Sequence, residues 1–228
     1  MANIAILNRQ THRTLCVQPA FAAPRNFVAV VVGEFVHLVA HYPILISKDS
    51  ETGAFYCGAM LGIDQDENLF AGVSGIYRPL ALQRGPFFAA GSDLAIDLDH
   101  PAVGSGEHLF SDAGQPTPYL QSIMALFRDL VPGNEQTKAF LGELTRLKLI
   151  VPVDINLGFD DGSERTLEGL YTVDRDGLLH IGDADALMLF RRGYLELCYM
   201  MLASLKQIPV LAERKNAALV ERGRMAFG

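Results

Sequence analysis

One cluster of acidic and imidazole side chains has a spacing that suits metal binding. Glu34, His37 and His41 stand at positions i, i+3 and i+7 of a short segment that we expect to be helical. Residues at these intervals share one face of a helix, and carboxylate and imidazole groups bind metals such as zinc. The chain has no second Glu-x-x-His, so the ligands of a partner helix are missing. We therefore expect a polar helix face satisfied by hydrogen bonds and no metal, with these three residues as the candidates if one is bound.

A second polar group follows a predicted strand. Its members are Asp97, Asp99 and His100, of which Asp97 and His100 are candidates for catalytic acid and base. The same residue types also stabilise turns. The Gly-Val-Ser-Gly run at 72–75 lacks the spacing of a nucleophile elbow, and Gly-Ser-Gly at 104–106 lacks the third glycine of a dinucleotide loop. Catalysis stays unassigned, and we predict no cofactor.

An arginine between aromatic residues gives a candidate ligand site. Tyr77, Arg84 and Phe87 lie close together in the sequence, and a guanidinium beside aromatic rings can bind a carboxylate with two hydrogen bonds. The alternative is an arginine whose stem covers the rings while its head group binds a carbonyl. A third feature, the run from 194 to 205, is apolar on nearly all sides. Such a helix is typical of a buried core, but its methionines also suit a groove for a partner protein.

Composition limits the function classes. The 228 residues are 50% hydrophobic and 20% charged, which is typical of a folded globular protein. The net charge of -7 disfavours nucleic acid as a ligand. Three widely spaced cysteines predict reduced thiols rather than disulfides or a metal pair. The N-terminus has no signal-peptide pattern, and the most apolar window, 27–46, contains charged residues and a proline. We expect a cytoplasmic protein without a membrane span.

The elements that position these residues follow from pattern. Strands are predicted near 27–32, on both sides of a hairpin loop at 48–53, and at 87–88 and 94–98. Helices are predicted at 33–40, at 119–130, and from Asn134 to about 147. Two β-like segments then cross a turn at 160–162, and helices occupy 184–192, 194–207 and the segment after Pro209.

These elements predict an α+β protein rather than a Rossmann sheet, because strands and helices do not alternate regularly. Antiparallel strands and hairpins fill the first half and the middle, and helices lie mainly in the second half. We expect an N-terminal arm at 1–26 and one α+β domain at 27–228, with a sub-boundary near 112–118 left open.

Short motifs in a common order make the chain similar to the SapC family from about residue 27 to 210. They are Glu34-Phe35, Tyr42-Pro43-Ile44, Leu61-Gly62, Asn68-Leu69-Phe70, Tyr77-x-Pro79, Arg84, Pro86-Phe87, Leu109-Phe110, Gly114, Thr137-x-x-Phe140, Leu149 to Pro152, Gly169-Leu170-Tyr171, Leu187 to Gly193 and Leu202-x-Ser204-Leu205. The chain departs from the family pattern by lacking tryptophan and by carrying Gln83 where the family has one of two adjacent arginines. An anion held by that arginine pair would bind this member weakly.

The absence of a strong catalytic constellation, together with the neighbourhood that the resemblance implies, predicts a bacterial accessory or binding protein without catalysis of its own. The resemblance also implies a genomic neighbourhood, because members of this family are often encoded beside uptake receptors and beside flavoproteins similar to tryptophan halogenases. The implied partner is therefore a flavin-dependent halogenase-like protein or a transport component, with homo-oligomer formation left open. Two alternatives remain: an enzyme of unfamiliar type acting on a peptide or small metabolite, and a surface-layer component.

Overall fold

A computed structural model describes residues 3–19, 21 and 24–226, with side chains described as far as residue 221. The chain divides into two compact units, one formed by Met1–Ala23 and Leu80–Gly133, the other by Pro24–Pro79 and Asn134–Gly228. Residues 1, 2, 20, 22 and 23 of the predicted arm lie outside the described residues, and the arm and domain boundaries stay a prediction.

Short strands and helices precede residue 118, and most of the longer elements follow it. In chain order the described residues form β1 (Ile4–Ile6), β2 (Cys16–Val17), β3 (Phe27–Ala29), a 3-10 turn (Val32–Glu34), α1 (Phe35–Leu38), β4 (Ile44–Lys48), β5 (Phe55–Met60), α2 (Leu80–Gln83), β6 (Phe87–Ala90), β7 (Asp93–Asp97), β8 (Glu107–His108), α3 (Pro118–Arg146), β9 (Ile150–Gly158), β10 (Glu164–Val173), α4 (Arg175–Leu179), α5 (Asp183–Arg191), α6 (Tyr194–Ser204) and α7 (Gln207–Ala226).

The first unit is built on two small antiparallel sheets. One has the strand order β1-β7-β6, and the other pairs β2 with β8. The β6–β7 hairpin turns at Gly91, whose φ of 61° is readily adopted by glycine. A hydrophobic core lies beneath these strands and includes Val17, Phe87, Ile96, Ala102, Leu109, Phe110, Leu120 and Ile123. The first strands of the chain are therefore part of a folded unit.

The second unit contains a five-stranded antiparallel sheet with the order β3-β5-β4-β10-β9. Its centre is the predicted hairpin, in which β4 and β5 pair from Ile44 opposite Ala59 to Lys48 opposite Phe55. Three consecutive side chains of β4, those of Ile44, Leu45 and Ile46, are fully buried, so both faces of this strand are covered. The β9–β10 pair carries a register shift between Leu167 and Leu170, which is typical of a β-bulge.

Helices of the second unit pack against this sheet. Phe35 of α1 meets Phe140 of α3 edge to face, with ring centroids 6.4 Å apart. Ser204 at the end of α6 is fully buried, and its hydroxyl accepts a hydrogen bond from the Ile44 amide at 2.8 Å. This bond joins residues 160 positions apart and anchors α6 on the central strand.

Two helices predicted on either side of residues 131–133 form one continuous helix, so the predicted break is wrong. Helix α3 runs through Pro132, although an interior proline costs a hydrogen bond and about 3 kcal/mol. Leu120 and Ile123 before the proline and Phe140 and Leu144 after it are buried. Burial of apolar side chains on both sides outweighs the cost of the proline.

The α+β prediction is confirmed, with antiparallel sheets in the first half and middle and helices concentrated in the second half.

Candidate functional site

The predicted acid and base at the end of β7 take part in local turn contacts. The Asp97 carboxylate accepts hydrogen bonds from the backbone amides of Asn3 at 3.2 Å and Asp99 at 3.1 Å. His100 Nδ1 accepts one from the Ala102 amide at 3.1 Å. These bonds stabilise the chain after β7, and catalysis by Asp97 and His100 stays a prediction.

The three metal-ligand candidates each have other partners. Glu34 is only 2% exposed, and its carboxylate accepts hydrogen bonds from the Val31 amide at 2.9 Å and the Tyr77 hydroxyl at 3.3 Å. His37 stacks on Tyr77, with ring centroids 4.9 Å apart, and His41 packs edge to face against the neighbouring tyrosine ring. Among the described residues, no three His, Cys, Asp or Glu side chains are grouped so that they could hold a metal ion.

The candidate ligand residues fall in different units. Arg84 and Phe87 belong to the first unit, and Tyr77 belongs to the second. Arg84 Nη1 donates to the Phe87 carbonyl at 2.6 Å, and its guanidinium lies 4.4 Å from the centre of the Phe88 ring. Phe87 is fully buried. The Arg84 head group therefore binds a carbonyl, as the alternative interpretation expects, and ligand binding by these residues stays a prediction.

A tyrosine at the centre of the second unit was not among the sequence candidates. Tyr42 is 2% exposed, and its hydroxyl donates a hydrogen bond to the Tyr77 carbonyl at 2.9 Å. Its ring packs against that of Phe70, with ring centroids 4.5 Å apart. The Arg214 guanidinium lies 4.5 Å from the centre of the Phe70 ring. Burial raises the pKa of Tyr42 to about 12, although the positive charges of Arg214 and Arg78 oppose the shift.

An ion-pair network around a buried lysine was also missed. Lys215 of α7 lies 2.6 Å from carboxylate oxygens of both Asp64 and Glu67, and Arg165 of β10 lies 2.8 Å from Asp64. Burial acts to lower the pKa of Lys215, but its hydrogen bonds to the two carboxylates outweigh this and raise the pKa. The sequence does carry one signal, because Lys215 lies four residues after the buried Leu211, on the same helix face.

Helix α6 is only partly buried, which corrects the prediction of a central core helix. Cys198, Met201 and Ser204 form the buried stripe, whereas Tyr199 is 51% exposed. A groove of about 670 Å³ lies beside the exposed face. Its lining residues are Arg175, Tyr199, Leu202, Ala203, Leu205, Lys206 and Pro209. We call this feature the α6 groove.

Helices α6 and α7 contain a stretch that, among the described residues, is long and apolar enough to cross a membrane. This stretch is Tyr194–Glu221, and 22% of its most apolar window is buried. Length and composition are weak grounds by themselves, because apolar helices of globular proteins also meet them. The absence of a membrane span stays a prediction.

A model of the SapC family matches residues 7–211, which is most of the chain. No curated protein and no solved structure gives a match. The family match includes the region in which the sequence motifs resemble that family and extends it toward the N-terminus. The chain therefore belongs to the SapC family.

Proposed function

We propose that this chain is an accessory protein without catalysis of its own that binds a partner protein through the α6 groove. The observation that carries the proposal is the open apolar lining of the groove. Five of its seven lining residues are tyrosine, leucine, alanine or proline. Exposed apolar surface of this kind is costly in water and is typical of protein interaction sites.

Exposed apolar side chains are also frequent in the last four helices of the second unit. Of the twelve exposed large hydrophobic residues among those described, six lie in the last four helices. They are Leu179, Leu187, Phe190, Tyr199, Val210 and Val220. Of these six, Tyr199 lines the groove. An amphipathic partner helix fits an apolar groove, because its apolar face can bury the lining side chains.

The charges beside the groove favour an acidic partner. Arg175 and Lys206 are exposed lining residues, and neither forms an ion pair with any residue that the structure describes. The positive charges of Arg175 and Lys206 beside the apolar lining are complementary to a helix that has one apolar face bordered by acidic residues. We therefore commit to a partner helix of that chemistry as the occupant of the groove.

The family resemblance supports the choice of partner. It favours a co-encoded flavoprotein similar to tryptophan halogenases, or a component of a surface or uptake system, met in the cytoplasm. The local hydrogen bonds of Asp97, His100 and Arg84 support a non-catalytic role, because each already has a structural function.

The test is co-expression with the neighbouring flavoprotein and transport genes, followed by affinity purification and native mass spectrometry. We expect a complex that Tyr199→Glu and Lys206→Glu each weaken at least tenfold, since single residues at interface centres often contribute more than about 1.4 kcal/mol. The matched control is Met124→Glu, which charges an exposed methionine outside the groove and is expected to leave binding unchanged.

Three results would overturn the proposal. The first is a complex that forms equally well with Tyr199→Glu. The second is binding of the isolated chain to anionic lipid vesicles that the same variant abolishes, which would make the groove a membrane site. The third is a concentration-dependent dimer lost in that variant, which would make a second copy the occupant.

A further inference from the structure

A thiol and an imidazole lie side by side in the first unit. Cys16 of β2 is paired with His108 of β8 in the antiparallel register. Cys16 Sγ lies 3.3 Å from His108 Nδ1 and 3.8 Å from Nε2. The Thr14 carbonyl is a second acceptor near the thiol, at 3.6 Å. A nucleophile within hydrogen-bond reach of a base is the arrangement that activates a cysteine.

Only one of the three cysteines is accessible. Cys16 is partly exposed, whereas Cys57 and Cys198 are 1% and 0% exposed. Burial raises the pKa of Cys198 to about 12 and raises the pKa of Cys57 as well. Because thiolates are the reactive form, these two thiols are inert while the chain is folded.

We propose that Cys16 and His108 form a site of reversible S-thiolation by low-molecular-weight disulfides. His108 accepts the thiol proton as the Cys16 sulfur attacks one sulfur of the disulfide. The disulfide bond of the reagent breaks and a new sulfur–sulfur bond to Cys16 forms. The leaving thiolate takes up the proton, so a thiol replaces a thiol and no further oxidant is consumed.

Attack on a disulfide sulfur requires less of the backbone around Cys16 than attack on a carbonyl carbon would. Acyl transfer needs free amide donors to stabilise an oxyanion. In the strands and turns around Cys16, the amides of Gln18, Gly104 and Leu109 already donate to backbone carbonyls at 2.8, 2.9 and 3.1 Å, so these three are occupied. In disulfide exchange the charge develops on the leaving sulfur, which needs no such donors.

The buried state of the other cysteines decides how the reaction ends. An internal disulfide needs a second accessible thiol, and Cys57 and Cys198 do not provide one. The mixed disulfide at Cys16 therefore persists until an external thiol reverses it.

The experiment incubates the reduced, folded chain with oxidised glutathione and follows intact mass. We expect one adduct per chain, mapped to Cys16, and three reactive thiols after unfolding. Replacing His108→Ala is expected to slow the reaction at least about tenfold, since a positioned general base contributes about that much or more. Free imidazole in the buffer is expected to restore part of the rate in this variant and to leave the wild type unchanged.

A peptide of residues 13–19 provides a control that does not depend on folding of the variant, because it contains Cys16 and no histidine. Cys16 in the folded chain is expected to react faster than the peptide. Equal rates for chain and peptide would overturn the proposal. A folded His108→Ala variant with the wild-type rate, or an adduct on Cys57 or Cys198 of the folded chain, would overturn it as well.

Discussion

Lys215 has a side chain that is only 3% exposed, yet it carries a charge between two carboxylates. Removing one member of a buried ion pair leaves its partner desolvated, which costs about 3–5 kcal/mol. We expect Lys215→Met to lower the free energy of unfolding by that amount, because the Glu67 carboxylate stays buried. Urea titration measures the change. In the control, Lys138→Met breaks a pair in which both side chains are 72% exposed and should have no measurable effect; equal effects in the two variants would contradict the prediction.

The buried hydroxyl of Tyr42 leads us to expect that folding stability falls at alkaline pH. Its pKa rises from the ordinary 10.0 to about 12 in the folded chain. As pH rises past 10, the unfolded chain loses the Tyr42 proton before the folded chain does. The contribution of the protonated hydroxyl to folding stability is therefore present below pH 10 and is lost between 10 and about 12. Tyr42→Phe does not titrate. We expect it to be about 1 kcal/mol less stable at pH 8, where a hydrogen bond to the Tyr77 carbonyl is lost.

The unmodified chain and Tyr42→Phe should then differ less in their free energy of unfolding as the pH rises. We expect this difference to narrow by about 1 kcal/mol between pH 9 and 11, when urea unfolding is measured at each pH. Cys57 and Cys198 titrate in both proteins, so their effect cancels. A constant difference across this range would show that the Tyr42 hydroxyl is not protected from ionisation.

At the scale of elements, alanine substitutions at two glycines are expected to change the stability of the protein in opposite directions. Gly142 is exposed on α3, and a methyl group there would meet nothing within 4 Å. Gly142→Ala should stabilise the protein by about 0.5–1 kcal/mol, because alanine restricts the unfolded chain and favours the helix. A methyl group at Gly58 of β5 would instead overlap the Phe27 ring of β3.

We expect Gly58→Ala to destabilise the protein by about 1–3 kcal/mol, as overpacking does in other buried positions. Thermal and urea unfolding of both variants provide the measurement. A Gly58→Ala variant as stable as the unmodified chain would contradict the close approach of β3 to β5, and a destabilised Gly142→Ala variant would contradict the open space beside α3.

At the scale of the whole molecule, contacts between distant parts of the chain stabilise the second unit. Helix α7 contributes Leu211, which is 1% exposed, and Lys215, which pairs with Glu67 148 residues away. A chain ending at Lys206 should therefore lose cooperative unfolding and near-ultraviolet dichroism. In the full-length control, Val220→Ser changes an exposed residue of α7 and should keep both. A truncated chain with a sharp transition would contradict this role of α7.

Local pattern was sufficient for much of the fold. The hairpin of β4 and β5, the pair β6 and β7, and the pair β9 and β10 were predicted because alternating apolar residues and turn residues act over a few positions. The continuous helix through Pro132 was not, since the apolar burial that outweighs a proline depends on residues far away in the sequence.

The sequence by itself determined the α+β class, the family, and the residue types available for chemistry. Only the tertiary structure decided which of them meet. Cys16 lies 92 residues from His108, and Lys215 lies 148 from Glu67, so no local spacing predicts either pair. Conversely, Glu34, His37 and His41 have a suggestive spacing, but the fold gives each another partner. Spacing restricts geometry only within one element, whereas the pairing of strands and packing of helices determine which distant side chains come into contact.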